Sequence, residues 1–173
     1  MSGGRTDLQT AKLETTWGDI SIAAGARGVS ACHLPAAAAR SIPLRVLRVR
    51  LPRPTSSRLK QAANFVRALV EGRAPGACPK LDESVLAGAP DFRRAIWTAL
   101  GKIPRGRTAT YAELARRAGH PRAARAAGSA CGANPLPLFI PCHRAMAAGG
   151  RSGGFSAGLA WKVQLLSAEG ARR

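Results

Sequence analysis

The chain has 173 residues, with 27 Lys+Arg against 9 Asp+Glu and a formal net charge of +18. That length suits one domain or two small ones sharing an interface, and 46% hydrophobic residues exclude disorder by composition. No apolar run reaches a membrane span, residues 1–10 are polar rather than signal-like, and four cysteines without a CxxC pair suggest neither a zinc ribbon nor a disulfide framework.

In chain order, residues 1–52 read as extended structure. Residues 13–23 (LETTWGDISIA) contain a turn at Gly18-Asp19, and a second turn at 25–28 precedes a strand over 29–34. Residues 45–51 (RVLRVRL) alternate as a half-exposed strand with arginines on one face. Residues 58–70 then place Leu59, Ala62, Phe65, Val66 and Leu69 at helical spacing, stopped by Glu71-Gly72. Cys32-His33 is a lone pair and predicts no metal site. The Gly/Pro-rich stretch at 72–79 and its sequel divide the chain near residue 88, giving expected domains over 1–88 and 89–173.

The second half is helical. Residues 91–100 (DFRRAIWTAL) form an amphipathic helix, broken by Pro104 and Gly106. Thr110 and Glu113 have capping-box spacing and start a helix through Ala118. Gly119, His120 and Pro121 make a three-residue turn into a helix over 122–132 (RAARAAGSACG), so the pair reads as a helix-turn-helix. Arg122 and Arg125, three apart, share one face of that second helix. Its small residues fit either close helix packing or close approach to nucleic acid. A last helix spans 159–168.

Charge separates the halves further. Between Glu113 and Glu169 there is no carboxylate, while Arg116, Arg117, Arg122, Arg125, Arg144, Arg151 and Lys162 stand in the gap. Such a stretch projects a positive field suited to phosphates.

The chemistry-bearing segment lies inside this gap. Three prolines within 135–141 predict a stiff extended segment ending on Cys142, His143 and Arg144. Cysteine attacks as thiolate, and a neighbouring His or Arg lowers its pKa. Residues adjacent in an extended chain point apart, so a water is expected to carry the proton from Cys142 to His143. Glu169, the sole acid after Glu113, is the carboxylate left to orient the imidazole. An inert buried cysteine beside a packed histidine is the alternative. Residues 149–156 (GGRSGGFS) form a flexible loop that could close over a substrate.

These residues resemble the O6-alkylguanine-DNA alkyltransferase family, the methylated-DNA–protein-cysteine methyltransferases. The resemblance rests on IPCHR at 140–144, GANP at 132–135, AARAAG at 123–128, TYAELA at 110–115 and LLSAEG at 165–170. It implies an α+β chain, with a small ribonuclease-H-like amino-terminal lobe followed by a helix-turn-helix domain carrying DNA binding and the alkyl acceptor. It further implies irreversible transfer of an alkyl group from O6-alkylguanine, and from O4-alkylthymine, in double-stranded DNA to Cys142 after base flipping. His143 would deprotonate Cys142 through a water, Glu169 would hold His143, and Asn134 would tie the helix-turn-helix to the active-site segment. Tyr111 would protonate the leaving guanine, and Ser156 would help to read its edge. Arg125 would fill the base stack, while Ala124, Ala126, Ala127 and Gly128, with Arg122, would meet the minor groove. Ala145 and Phe155 stand at substrate-pocket positions where many relatives have Val and Tyr. No metal or cofactor is implied, and the expected protein is a cytoplasmic monomer acting once. Its rivals are a lesion-binding or regulatory helix-turn-helix protein without transfer activity, and a cysteine hydrolase.

Overall fold

Alternation of apolar and polar side chains folds the first half into four strands. β1 (Gln9–Thr15) buries Ala11, Leu13 and Thr15, and β2 (Gly18–Gly25) buries Ile20, Ile22 and Ala24. With β3 (Gly28–His33) and β4 (Val46–Arg50) they form an antiparallel sheet in the order β3-β2-β1-β4. The structure is a computed structural model that describes residues 8–36 and 44–171. The extended reading of residues 1–7 and 37–43 lies outside the described residues.

The first hairpin turns at Thr16-Trp17, two residues before the expected Gly18-Asp19. The Thr15 hydroxyl holds that turn, donating to Gly18 O (2.6 Å) and accepting from Trp17 N–H (3.1 Å). The shift buries Trp17, whose ring meets Trp161 edge-on at 5.1 Å. In β4 the strict alternation fails as well. A bulge between Glu14 and Thr15 in the facing strand offsets the register, so Val46 and Val49 are the half-buried positions and Leu47 and Arg48 both face solvent.

α1 (Ser57–Val70) crosses the sheet, with Ser56 as its N-cap accepting from Leu59 N–H (3.3 Å). It buries Leu59, Ala62, Phe65, Val66 and Leu69, each large apolar side chain contributing about 1.5–3 kcal/mol. Phe65 stacks on Phe139 at 5.5 Å, joining α1 to the cysteine-bearing loop. The expected linker is tied to the sheet. Val29 N–H donates to Lys80 O (2.9 Å), and Asp82 N–H donates to Val29 O (2.8 Å). Asp82 then caps a short α2 (Glu83–Ala87), too brief to leave a periodic signal.

α3 (Asp91–Gly101) braces the second half, its Trp97 Nε1 donating to Ala130 O (2.8 Å). A two-residue β5 (Ala109–Thr110) leads into α4 (Tyr111–Arg117), where Thr110 and Glu113 form the capping box in full. α5 (Ala124–Gly132) follows, then β6 (Ala145–Met146), parallel to β5, and α6 (Leu159–Ala168). The turn between α4 and α5 is longer than expected. Pro121 and Arg122 belong to it, no side chain caps the helix at Ala123, and Arg122 therefore does not share a helical face with Arg125. Among the described residues, no helix is long and apolar enough to cross a membrane.

Candidate active site

Cys142, His143 and Arg144 occupy one turn of 3-10 helix, and the residues before them are not extended. Leu138 adopts φ 73°, and Ile140 N–H returns to Leu136 O at 2.9 Å. Residues 136–143 are buried, so their backbone groups need partners inside the protein. Asn134 supplies two of them. Its Nδ2 donates to Ile140 O (2.8 Å) and its Oδ1 accepts from Leu136 N–H (3.0 Å). Asn134 directly follows the end of α5, so its side chain joins that helix to the cysteine turn.

Cys142 opens on a pocket of about 480 Å³ lined by Tyr111, Gly128, Cys131, Cys142, Phe155 and Ser156, among others. Tyr111 lies at the start of α4, and its hydroxyl accepts from Gly154 N–H (3.3 Å). Gly153 has φ 65°, and a Cβ there would fall 2.4 Å from the Tyr111 hydroxyl, so the loop's approach depends on glycine. Burial raises the Tyr111 pKa, leaving it a protonated donor at neutral pH. Burial also pushes the Cys142 thiol up, while an Asn134 hydrogen bond and the Lys162 charge pull it back. The expected depression by a neighbouring Arg does not occur, because Arg144 is directed elsewhere.

Arg144 faces Glu169, at the C-terminal end of α6. Its Nη2 donates to Oε1 (2.7 Å), its Nε to Oε2 (2.9 Å), and its Nη1 to Ile103 O (2.7 Å). The Glu169 carboxylate also meets His143 Nε2 (2.9 Å) and Gly106 N–H (3.3 Å). Burial alone would raise its pKa. The hydrogen bonds and charges of His143 and Arg144 outweigh burial and hold the carboxyl at about 2. An ionised carboxylate only accepts, so Nε2 carries the imidazole proton and Nδ1 its lone pair. Burial keeps His143 below the usual histidine range despite Glu169, and Nδ1 has no hydrogen-bond partner among the described residues. A neutral imidazole thus presents a basic nitrogen inside the protein.

Lys162 is fully buried, with its ammonium donating to Ala145 O, Ser152 O and, at 3.4 Å, Gly154 O. It thereby fastens the glycine-rich loop to β6. Burial lowers its pKa, and the nearby Cys142 and Cys131 oppose that shift.

The family described as 6-O-methylguanine DNA methyltransferase, DNA binding domain, matches residues 91–171. A methylated-DNA–protein-cysteine methyltransferase of Methanosarcina barkeri is 40% identical over 113 residues, covering 64% of this chain and 67% of that protein. The chain belongs to this family. The human methylated-DNA–protein-cysteine methyltransferase is 42% identical over 94 residues, 54% of this chain and 45% of the relative. The chain's match spans 65% of the Methanosarcina acetivorans relative and 63% of the Methanosarcina mazei relative, just under two thirds of their length. Among solved structures, Mycobacterium tuberculosis OGT in complex with DNA superposes with a TM-score of 0.69 at 29% identity, covering 92% of this chain and 91% of that one. The antiparallel sheet and helical second half are therefore the family's mixed α+β architecture.

Most sequence-derived site residues converge within this family framework. Tyr111, Gly128, Cys142, Phe155 and Ser156 share the pocket, with Asn134, His143 and Glu169 behind it. Ala145 does not. It is fully buried in the β5–β6 pair and offers its carbonyl to Lys162, not a pocket surface. On α5, Arg125 and Ala126 are exposed and Ala124 and Gly128 half-buried, but Ala127 is fully buried and has no surface to offer a groove. Residue reasoning missed Cys131 and Lys162 as site residues, and it read Arg144 as a neighbour acting on the thiol when it is the partner of Glu169. Cys131 lies a helical seven residues after Ala124, and Lys162 is a lone cation in the apolar run LAWKVQLL; both signals were legible. Cys32 points inward and His33 outward, and no group of three metal-ligating side chains exists among the described residues.

Proposed function

We propose that the protein repairs alkylated DNA by direct reversal, moving the alkyl group from O6-alkylguanine, and from O4-alkylthymine, to Cys142. The observation that carries this reading is the juxtaposition of a pocket-lining thiol and a phenol with a buried His143–Glu169–Arg144 hydrogen-bond chain. Duplex DNA as partner is supported by the relative solved with DNA and by the family's DNA-binding description.

The chemistry follows from these positions. Within the base stack the alkyl carbon is out of a thiol's reach, so the nucleotide must rotate into the pocket. His143 Nδ1 takes the Cys142 proton through a water, the sulfur attacks the alkyl carbon, and the carbon–O6 bond breaks. Tyr111 gives its proton to the guanine as negative charge develops. Exposed Arg125 fills the vacated stack, while Ala124, Ala126 and Gly128 allow α5 close to the minor-groove floor. Arg122, exposed on the preceding turn, meets a phosphate instead in this reading. Ser156 and Phe155 read the base. The first 88 residues support the acceptor turn from behind, through Phe65. A stable thioether ends the reaction after one turnover, and four free thiols suit a reducing cytoplasm and a monomer.

The test is intact-protein mass after incubation with a duplex carrying O6-methylguanine. One added methyl group, absent from Cys142→Ala, is the expected result. Tight binding with unchanged mass would establish a lesion binder instead. Repeated turnover of an ester or amide would establish a hydrolase.

A further inference from the structure

We propose that Arg105 is a positioning residue, setting Glu169 against His143 by tying the end of α6 to the end of α1. The inference rests on the reading of His143 as the base that serves Cys142. Arg105 lies in the turn after α3, outside the pocket. Its Nη2 donates to Gly72 O (2.5 Å), just past α1, and to Ala168 O (2.9 Å), the residue before Glu169. One guanidinium nitrogen thus grips both helix ends, while Nε is buried with no hydrogen-bond partner among the described residues.

Two glycines let the backbone close around this grip. At Gly72 (φ 73°) a Cβ would fall 3.2 Å from Ala168 O, and at Gly106 (φ 72°) it would fall 3.1 Å from Glu169 O. Gly106 N–H, next to Arg105, donates to the Glu169 carboxylate at 3.3 Å. The carboxylate is therefore held from two sides. Arg144 and Gly106 fix its oxygens, and Arg105 fixes the peptide from which it grows. Without Arg105, the main chain at the end of α6 keeps its own closing bonds, among them Glu169 N–H to Leu165 O and Ala171 N–H to Leu166 O, and loses the tie that fixes it to the end of α1. Small displacements there enter the His143–Glu169 contact directly, and misplacement of about 1 Å can cost a reaction roughly a hundredfold.

Arg105→Ala and Arg105→Lys separate this role from simple folding support. Single-turnover methyl transfer from an O6-methylguanine duplex is followed against pH, and imidazole ¹⁵N shifts of His143 are read without DNA. His143 faces Glu169 and Lys162 of α6 and Cys142 and Arg144 of its own turn, and all four remain in both variants. Arg105→Ala is expected to slow transfer roughly tenfold or more. The acid limb of its profile should move to lower pH, and the ¹⁵N shifts should lose the Nε2-protonated pattern. Arg105→Lys should recover much of each, since an ammonium can also donate to two carbonyls. Unchanged rate, profile and shifts in Arg105→Ala would overturn the proposal. So would a loss confined to the amplitude of transfer, with rate constant and shifts intact. If the unaltered protein transfers nothing, the repair reading fails, and the ¹⁵N shifts still decide the role of Arg105.

Discussion

Burial keeps the Cys142 thiol protonated at rest, so its reactivity must be created when a substrate excludes water and the proton has somewhere to go. That makes the state of His143 decisive. Glu169 fixes its tautomer, and Glu169→Gln removes the fixed charge and can donate to the ring instead. Transfer at neutral pH is expected to fall roughly a hundredfold, the scale of lost general base catalysis, with DNA affinity little changed. Collapse of affinity instead would make Glu169 structural. The same carboxyl leaves a mark on stability. Its folded pKa of about 2 lies below the ordinary 4.5, so its stabilisation is complete above pH 4.5 and fades as pH falls toward 2. Urea midpoints over that window should drop more steeply in the unaltered protein than in Glu169→Gln. At this scale the cysteine and histidine were legible through adjacency, and Glu169 through the scarcity of acids. Arg144 was misread because sequence proximity to Cys142 says nothing of where a long side chain is aimed.

The helices show what periodicity can and cannot carry. α1 and α3 have wide apolar stripes and were readable nearly to the residue. α5 is built of alanine and glycine, so its faces look alike in sequence although one meets the core and the other solvent. Adjacent alanines separate them. Ala127→Leu should overpack a fully buried position and cost about 1–3 kcal/mol in a denaturant melt. Ala126→Leu, exposed, should leave stability within about 0.5 kcal/mol while weakening duplex binding. Equal melts for the two variants would contradict the orientation of α5. The Pro-rich segment before Cys142 failed differently. Proline bars helix and interior sheet pairing, but it did not predict the turn at Leu138, which answers to the burial of backbone groups.

Across the whole molecule, the +18 charge overstates what DNA can meet. Of seven cations in the acid-free interval, Lys162 is buried and Arg144 is paired with Glu169, leaving Arg116, Arg117, Arg122, Arg125 and Arg151 exposed. With Arg125 in the base stack, four phosphate contacts would give a log affinity against log salt slope no steeper than about −3.6 from this interval. Replacing Arg122 with Gln should reduce the magnitude of the slope on undamaged duplex by about 1. An unchanged slope would place the phosphate footprint elsewhere. The change from strands to helices along the chain was visible in the sequence pattern, but the single core that joins them was not. Trp17 on Trp161, Phe65 on Phe139 and Arg105 between two helix ends are contacts over long sequence distances, which no local pattern encodes.

The buried ammonium of Lys162 grips only peptide oxygens, at Ala145, Ser152 and Gly154. Every amino acid offers the same carbonyl, so Lys162 fastens the loop without reading its side chains, and within the loop Gly153 is demanded by the Tyr111 hydroxyl. Side chains at Arg151 and Ser152 can therefore drift without unfastening it, and new contacts to flanking nucleotides can be tried there without disturbing the acceptor. Change at those two positions would alter only the loop's outward chemistry, while a single change at Lys162 would release the whole strap.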